Sequence, residues 1–496
     1  QRNVTVATAP LTNTGFIRNQ ARSRSRKDKK WHKKFMSMRL SLVQYELLTA
    51  AYHGGYNHAN RYYVNQLITE PVECYDFISS YPARIVYEKF PMTNFVSTKL
   101  SLQEIMELKE NYAFAGYIRL KKLRLKKDYP MPPLAFNKAK VCIFPDQDKI
   151  SKKKAMELNL DNGKIVNADL VIYPFTDPDL QVIFEAYDFE WADVANVIRA
   201  KKDYLPDWII NYVIELFEHK NTLKHADPVL YMISKGELNG IYGMMVQKMI
   251  QSMFEEDYET GLWNDVLIES EEKLQKYYKS RNSFLPYQWG VWVTAYAQAE
   301  LFELGKCCKR WLYSDTDSVK GTEWNRKKLA EYNEKIMKKS ERRGMGTVLF
   351  NGESHTLGIA EFDGIYSEFK TMGSKRYCYR EKGKLKQTVA GVPKDGVYCL
   401  DDNINNFEKG FIYRNSLTYR RNYRRANNWK KDPSWKLKTE YLYNKGINTI
   451  TVDGCRIEYG CAIRLSDTEY ELDHTIPYDK ETGLPLPFET KDVLYS

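Results

Sequence analysis

The feature that most narrows the fold is a pair of acids at the tip of an apolar hairpin. Arg310-Trp311-Leu312-Tyr313 and Ser318-Val319 bracket Asp315-Thr316-Asp317. This pattern predicts two strands joined by a tight turn. Both carboxylates cannot point into a core, because each would need a partner there. The acids therefore face a cation. Asp76 ends a strand of its own, Val72-Glu73-Cys74-Tyr75-Asp76-Phe77, and can converge on the same point. Three hard oxygen ligands suit Mg²⁺, which keeps waters and takes further oxygens from a substrate phosphate. Two such ions activate an attacking oxygen and stabilise a leaving one in phosphoryl transfer. Taken alone, a D-x-D segment also occurs in ordinary turns and in glycosyltransferases.

A second segment is more selective. Lys235, Asn239 and Tyr242 of Lys235–Gly243 fall at i, i+4 and i+7, so a helix puts them on one face. A cation, an amide and an aromatic ring in one stripe suit a nucleotide. The plainer reading is an amphipathic helix with Tyr242 in the core and Lys235 solvated. Gly236, Gly240 and Gly243 argue against it, because glycine weakens a helix unless something must approach closely. Apolar spacing predicts further helices over 35–51, from about Pro206 to Lys220, from about Pro228 to Tyr242, and over 291–308. Lys140–Phe144 and Leu170–Tyr173 read as strands, and short strands recur after 440, at Ile447–Val452 and Ala462–Leu465.

Charge points to a polyanion. The chain carries +11 over 496 residues. Residues 17–34 hold nine Lys/Arg against one acid, and residues 414–438 hold the same excess. The rest of the chain is net acidic. Two basic patches on an acidic body fit a nucleic-acid partner, or else a solvated tail and loop. The eight cysteines form no C-x-x-C pair and the seven histidines do not cluster with them, which argues against zinc. No run of about 18 apolar residues predicts a membrane span. The polar, then basic, N-terminus does not read as a signal peptide, and scattered thiols fit a reducing cytoplasm. The expected setting is therefore cytoplasmic, with no membrane partner. Gln1 in place of Met hints at a fragment.

The ordered segments resemble a known family. Asp76-x-x-Ser79-x-Tyr81-Pro82, then Lys235-x-x-x-Asn239-x-x-Tyr242-Gly243, then Tyr313-x-Asp315-Thr316-Asp317-Ser318 look like motifs A, B and C of family B DNA polymerases. Lys375-Arg376-Tyr377 resembles the K-x-Y signature that follows motif C, and Tyr52-His53-Gly54-Gly55 the Y-x-G-G element before motif A. The branch most resembled is the protein-primed one of small bacteriophages and linear plasmids. There Thr12–Arg18 is similar to the exonuclease-to-polymerase junction, and Gly290–Ala297 to the helix before motif C.

The resemblance implies an α+β right-hand polymerase fold with palm, fingers, thumb and insertion subdomains. It implies the following organisation: a basic linker at 1–34; palm at 35–89 with motif A; an insertion at 90–205 resembling the region that contacts a terminal protein. Fingers with motif B follow at 206–246, then a second insertion at 247–286 suited to encircling template. The rest is palm at 287–395 with motif C and K-x-Y, then thumb at 396–496. It implies template-directed transfer of dNTPs to a primer 3′-hydroxyl, with protein-primed initiation of viral or plasmid replication.

Roles follow from the resemblance residue by residue. Asp76, Asp315 and Asp317 are the implied catalytic acids. Asp76, Asp317 and the Phe77 carbonyl would hold two Mg²⁺ ions, for which Mn²⁺ can substitute, with Asp315 supporting. Tyr81 would lie under the nucleotide sugar and exclude a 2′-hydroxyl. Lys235, with Lys220 (or Lys224), would contact the triphosphate, and Asn239 and Tyr242 the nascent base pair. Lys375 and Tyr377 would hold the primer terminus, and Tyr52, Gly54 and Gly55 the template. In the expected thumb, Arg420 and Arg424 alternate with Tyr419 and Tyr423 and would grip primer–template phosphates.

The chain departs from the family pattern in places. Ser80 replaces the usual Leu of motif A, and Gly240-Ile241 the common Ser-Leu of motif B. The only acids before motif A are Asp28, Glu46, Glu70 and Glu73, with no D-x-E, so no proofreading exonuclease is expected in this chain. The expected partners are primer–template DNA, dNTPs, a terminal protein and a separate exonuclease subunit. Rival readings are a metal-dependent glycosyltransferase using Asp315-Thr316-Asp317, and an inactive polymerase relic that only binds DNA.

Overall fold

The computed structural model describes residues 13–414 except 130, 225, 251–253, 257–262, 266–269, 281, 351 and 393. It also describes 449–452, 455–458, 469–476 and 478. The chain divides into one unit of residues 1–57 and 74–363 and another of 58–73 and 364–496.

The first unit opens with three helices, α1 (Asn13–Lys27), α2 (Trp31–Ser37) and α3 (Leu42–Ala51). This corrects two sequence expectations. Residues 13–27 and 31–34 of the expected linker are helical, because apolar groups at i, i+4 spacing give each helix a side to bury. Ile17 with Ala21, and Trp31 with Phe35, are all at most 4 % exposed. Nor is 35–51 one helix. Ser41 starts a new one, accepting from the Gln44 amide while the Gln44 side chain accepts from the Ser41 amide.

A five-stranded sheet supports the motif residues. Its strand order is Asn57–Ala59, Cys308–Asp315, Ser318–Trp324, Val72–Phe77 and Ala360–Tyr366. The motif C hairpin thus lies beside the motif A strand. Helix α4 (Ser80–Tyr87) follows that strand directly.

Between these segments sits an antiparallel sheet with its own core. Its main path runs Phe90–Pro91, Trp191–Asp203, Tyr112–Leu125, Asn167–Thr176 and Val141–Ile143. The strands expected near 140–144 and 170–173 are therefore present. Phe114, Ile118, Leu120, Val171 and Phe175 are fully buried on it. Helices α5 (Leu102–Leu108), α6 (Lys152–Asn159) and α7 (Asp177–Ala186) accompany it.

Helices α8 (Asp207–Leu223) and α9 (Pro228–Met245) pack against each other, and α10 (Ser270–Lys279) follows. Helix α11 (Tyr287–Gly305) is buried nearly all round, with Trp289 and Trp292 at 0 % exposure, as befits a helix apolar on every face. The Trp292 indole donates to Asp177 Oδ1 at 3.0 Å, satisfying its one polar atom. Helix α12 (Arg326–Arg343) starts on the Asn325 cap and stops at Gly344, whose φ of 63° suits glycine.

The second unit is built on an antiparallel sheet of Glu368–Gly373, Arg376–Glu381 and Lys384–Val389. Met372, Cys378, Leu400, Phe407 and Leu472 form its core. The strand expected at 447–452 is found at Thr449–Val452. The one expected at Ala462–Leu465 lies outside the described residues.

Candidate active site

The sheet brings two acids together from distant parts of the chain. The Phe77 amide donates to the Asp317 carbonyl at 3.0 Å, so Asp76 on its strand and Asp317 in the hairpin turn are held side by side. Between the Asp315 and Asp317 acids, Thr316 takes φ 64°, and its amide donates to the Tyr56 carbonyl at 2.8 Å. The Asp317 amide donates to the Asp315 carbonyl at 2.7 Å, closing the turn.

Asp76 and Asp317 line a cavity of about 200 Å³. Phe77, Ser79, Lys220, Lys224, Lys235 and Asn239 share its wall. Other lining residues lie outside the sequence motifs, among them Asn221, His355, Glu361 and Asp363. Glu361 and Asp363 sit two apart on the strand beside Asp76, and that alternation was the available clue. Asp315 is not on this wall.

The charges explain each other. Burial first, then the charges of Asp317 and Asp363, push the Asp76 carboxyl up to about 8. Burial and the nearby Asp315 raise Asp317 as well. Lys320, buried behind the turn and bonded to Ser318 Oγ at 3.1 Å, pulls both back down, as does Lys235. Burial first, then Lys235 and Lys224, push Lys220 down to about 8. Lys220 Nζ donates to Ser79 Oγ at 3.0 Å. The cavity thus holds repelling carboxylates at one side and crowded ammonium groups at the other. Such an arrangement suits a hard cation beside a polyanion.

The donor chemistry fits a divalent ion of the Mg²⁺ type, because Asp76 and Asp317 offer carboxylate oxygens and repel each other until a cation joins them. Among the described residues, no three His, Cys, Asp or Glu side chains stand close enough to hold an ion by themselves. The remaining ligands would be backbone, water and substrate oxygens, as Mg²⁺ prefers.

Aromatic groups border the acids. The Tyr81 and Tyr242 rings lie 4.3 Å apart at 35°. Tyr242 and Tyr52 share a hydroxyl hydrogen bond of 2.9 Å. The Tyr52–Gly55 loop is pinned by His53 Nε2 against Asp179 Oδ1 at 3.0 Å. A methyl on Gly55 would sit 2.5 Å from Thr316 Cγ2, so glycine lets this loop touch the acid turn. A methyl on Gly54 would meet nothing within 4 Å. Four of the five sequence motifs therefore meet here. Lys375 and Tyr377 belong to the second unit, where Lys375 takes φ 55° at a strand turn and Tyr377 is buried. Arg420, Arg424 and nearly all of the 414–438 patch lie outside the described residues. The 17–34 patch uses part of its charge internally: Arg24 pairs with Glu215 at 2.8 Å and Arg22 bonds Asn282.

Among the described residues, no helix is long and apolar enough to cross a membrane. No curated protein matches the chain by sequence. The fold is similar to that of Phi29 DNA polymerase complexed with primer–template DNA, with 16 % identity and a TM-score of 0.58, over 94 % of this chain and 68 % of that one. It is similar also to the Phi29 ternary complex with DNA and incoming nucleotides, with 17 % identity and a TM-score of 0.55, over 81 % and 64 % of the two chains. This is the right-hand polymerase fold expected from the motifs. Residues 21–289, more than half of the chain, match the model of the family DNA polymerase type B, organellar and viral. That span contains Asp76, Tyr81, Lys220, Lys235, Asn239 and Tyr242 of the cavity and its rim, and by it the chain belongs to the type B DNA polymerases of organelles and viruses.

Proposed function

We propose that this cavity is the nucleotidyl-transfer site of a template-directed DNA polymerase. The single observation that carries the reading is the shared wall: Asp76 and Asp317 face Lys220, Lys235 and Asn239 across about 200 Å³. Acids for metal, cations for a triphosphate and an amide beside them are what dNTP transfer needs in one place.

Asp76, Asp317 and the Phe77 carbonyl would hold two Mg²⁺ ions, with Asp315 adding charge from outside the cavity and Mn²⁺ as a workable substitute. Bound there, the ions would supply Lewis-acid stabilisation of the attacking and leaving oxygens. Lys220 and Lys235 bind the triphosphate. Tyr81 supports the sugar, and Asn239 and Tyr242 line the new base pair. Tyr52, Gly54 and Gly55 guide the template, while Lys375 and Tyr377 hold the primer end. Arg420 and Arg424 grip duplex phosphates. Much of the rate acceleration comes from positioning and charge, which this rigid two-strand platform suits.

The palm is then 35–89 with 287–395, the fingers 206–246 and the thumb 396–496. The sheet subdomain within 90–205 supports a further reading, docking of a terminal protein whose hydroxyl replaces the primer at initiation. Viral or plasmid replication in a bacterial host cytoplasm completes it. The glycosyltransferase alternative leaves Lys235 and its helix unused, and the inactive-relic alternative leaves three acids unused.

The test is a primed template of known sequence, Mg²⁺ and single dNTPs. The reading predicts addition only of the dNTP that the template specifies. Sugar transfer from a nucleotide-sugar, or no addition with DNA bound, would favour a rival. Initiation with and without a terminal protein tests priming: normal start only from a DNA primer contradicts it.

A further inference from the structure

Helix α1 holds none of the groups assigned to catalysis, yet it packs on the helix that holds three of them. Ile17, Ala21 and Ser25 recur at four-residue spacing and are at most 3 % exposed, so they form one buried face. Arg24 fixes α1 to α8 as well, pairing with Glu215 and lying 4.5 Å over the Tyr212 ring.

The contact with α9 is made through a glycine. A methyl group on Gly240 would sit 2.5 Å from Ile17 Cδ1, where ordinary contact begins near 3.4 Å. Ile17 is 1 % exposed, so its tip has no solvent to swing into. Gly240 is not in the left-handed region, and its φ does not require glycine. Gly243, one turn on, has nothing within 4 Å of the same position. The glycine at 240 is therefore a notch, and Ile17 is the knob seated in it. Gly240 follows Asn239 directly and precedes Tyr242 by two residues. It stands where the motif resemblance leads one to expect serine.

We propose that α1 is a positioning strut for the nucleotide-binding face of α9, with Ile17 in the Gly240 notch setting the depth and rotation of that helix. The proposal rests on the reading of Lys235, Asn239 and Tyr242 as nucleotide contacts. On its other side α9 is held by the Tyr242–Tyr52 hydroxyl bond and the Tyr81 ring. Its end is held where Gly290 of α11 meets Met245. A methyl added at 240 must displace the Ile17 tip; because that tip is buried, part of the displacement passes to the spacing of α1 and α9, by at most about 1 Å, which matters where reacting groups are positioned. Ile17 and Gly240 act through α9 and touch no substrate.

The experiment compares wild type, Gly240→Ala, Ile17→Val and the double variant. Two quantities are read: dNTP KM and kcat in primer extension, and amide hydrogen exchange of residues 228–245 without nucleotide. Gly240→Ala is expected to raise dNTP KM roughly tenfold while kcat changes about threefold or less, and to speed exchange in α9. Ile17→Val removes Cδ1, leaves the notch unfilled, and alone is expected to raise dNTP KM about threefold and loosen α9. The double variant is expected to return to within about twofold of wild-type KM. A merely structural clash would lower stability without splitting KM from kcat. Wild-type KM and exchange in Gly240→Ala, or a defect that Ile17→Val does not relieve, overturns the proposal. A wild-type chain that adds no dNTP refutes the nucleotide reading instead, and the exchange pattern then decides the Ile17 seat independently of it.

Discussion

The Phe77 amide and the Asp317 carbonyl are joined at 3.0 Å, and this one backbone bond ties the end of the Asp76 strand to the hairpin turn. It fixes Asp76 beside Asp317 before any ligand arrives. The cost is electrostatic, since Asp76 is pushed up to about 8 by burial and by its acidic neighbours.

That cost has a sign. Asp76 ordinarily titrates near 3.8, so between there and about 8 the folded chain holds a proton that the unfolded chain has released. Stability of the metal-free protein therefore falls as pH rises through this window. Asp76→Asn removes the penalty. In chelator at pH 8 it should melt about 2–4 °C above wild type, the shift expected for about 1 kcal/mol in a domain-sized unit. Mg²⁺ should raise the wild-type melting temperature and leave the variant's nearly unchanged. Thermal melts with and without Mg²⁺ check both outcomes.

Lys220 gives a second pH signature. Burial and two neighbouring lysines hold it down to about 8, so it loses its charge as pH rises through that value. The dNTP KM should climb severalfold between about pH 7 and pH 9 in wild type. Lys220→Gln should start with the higher KM and lose the slope. Steady-state extension across this range is the measurement.

The Tyr81 ring rests on Tyr242 and borders the cavity acids, as a sugar-supporting group would. Tyr81→Val should therefore admit ribonucleotides, raising their incorporation relative to dNTPs by about tenfold or more. Tyr52→Phe, which removes only the hydroxyl bond to Tyr242, should cost about 1 kcal/mol of nucleotide affinity at most. Paired rNTP and dNTP competition assays separate the two effects.

One prediction concerns the fold and not the chemistry. Glu300 of α11 meets Arg84 at 3.0 Å and Lys339 at 3.1 Å, with the Arg84 side chain 2 % exposed. These cations hold Glu300 well below the usual carboxylate range against the opposing effect of burial. Its contribution is present above the unfolded carboxyl value and is lost only as pH falls far below it. Glu300→Ala leaves Glu88, 3.4 Å from Arg84, as the remaining carboxylate for both Arg84 and Lys339 and should cost about 3 kcal/mol, undiminished between about pH 6 and pH 9. Denaturant melts at the two pH values read it.

Much of the site was legible because its chemistry is local in sequence. Asp76, Asp317, Lys235 and Asn239 each sit in a short motif with its own secondary structure, and the sheet only had to bring them together. Lys220 was also anticipated, from the helix before Lys235. Glu361, Asp363 and His355 were not, since lone polar residues on an edge strand look like solvent-facing positions. Helix α1 was misread as linker because its basic residues outnumber the few apolar ones that it buries. Ile17 and Ala21 reveal their face only in the packed helices, where Gly240 leaves a notch for Ile17. The break at Ser41 was legible in principle, through the Ser-x-x-Gln cap, but the apolar spacing on either side ran straight across it.

The central claim is that Asp76 and Asp317 together make this chain a DNA polymerase. The most direct measurement is primer extension in Mg²⁺ by wild type, Asp76→Ala and Asp317→Asn, each first confirmed folded by its melt. Wild type should extend the primer as the template directs, and both variants should lose at least about a thousandfold, with DNA binding retained. Extension by either variant within about tenfold of wild type would contradict it.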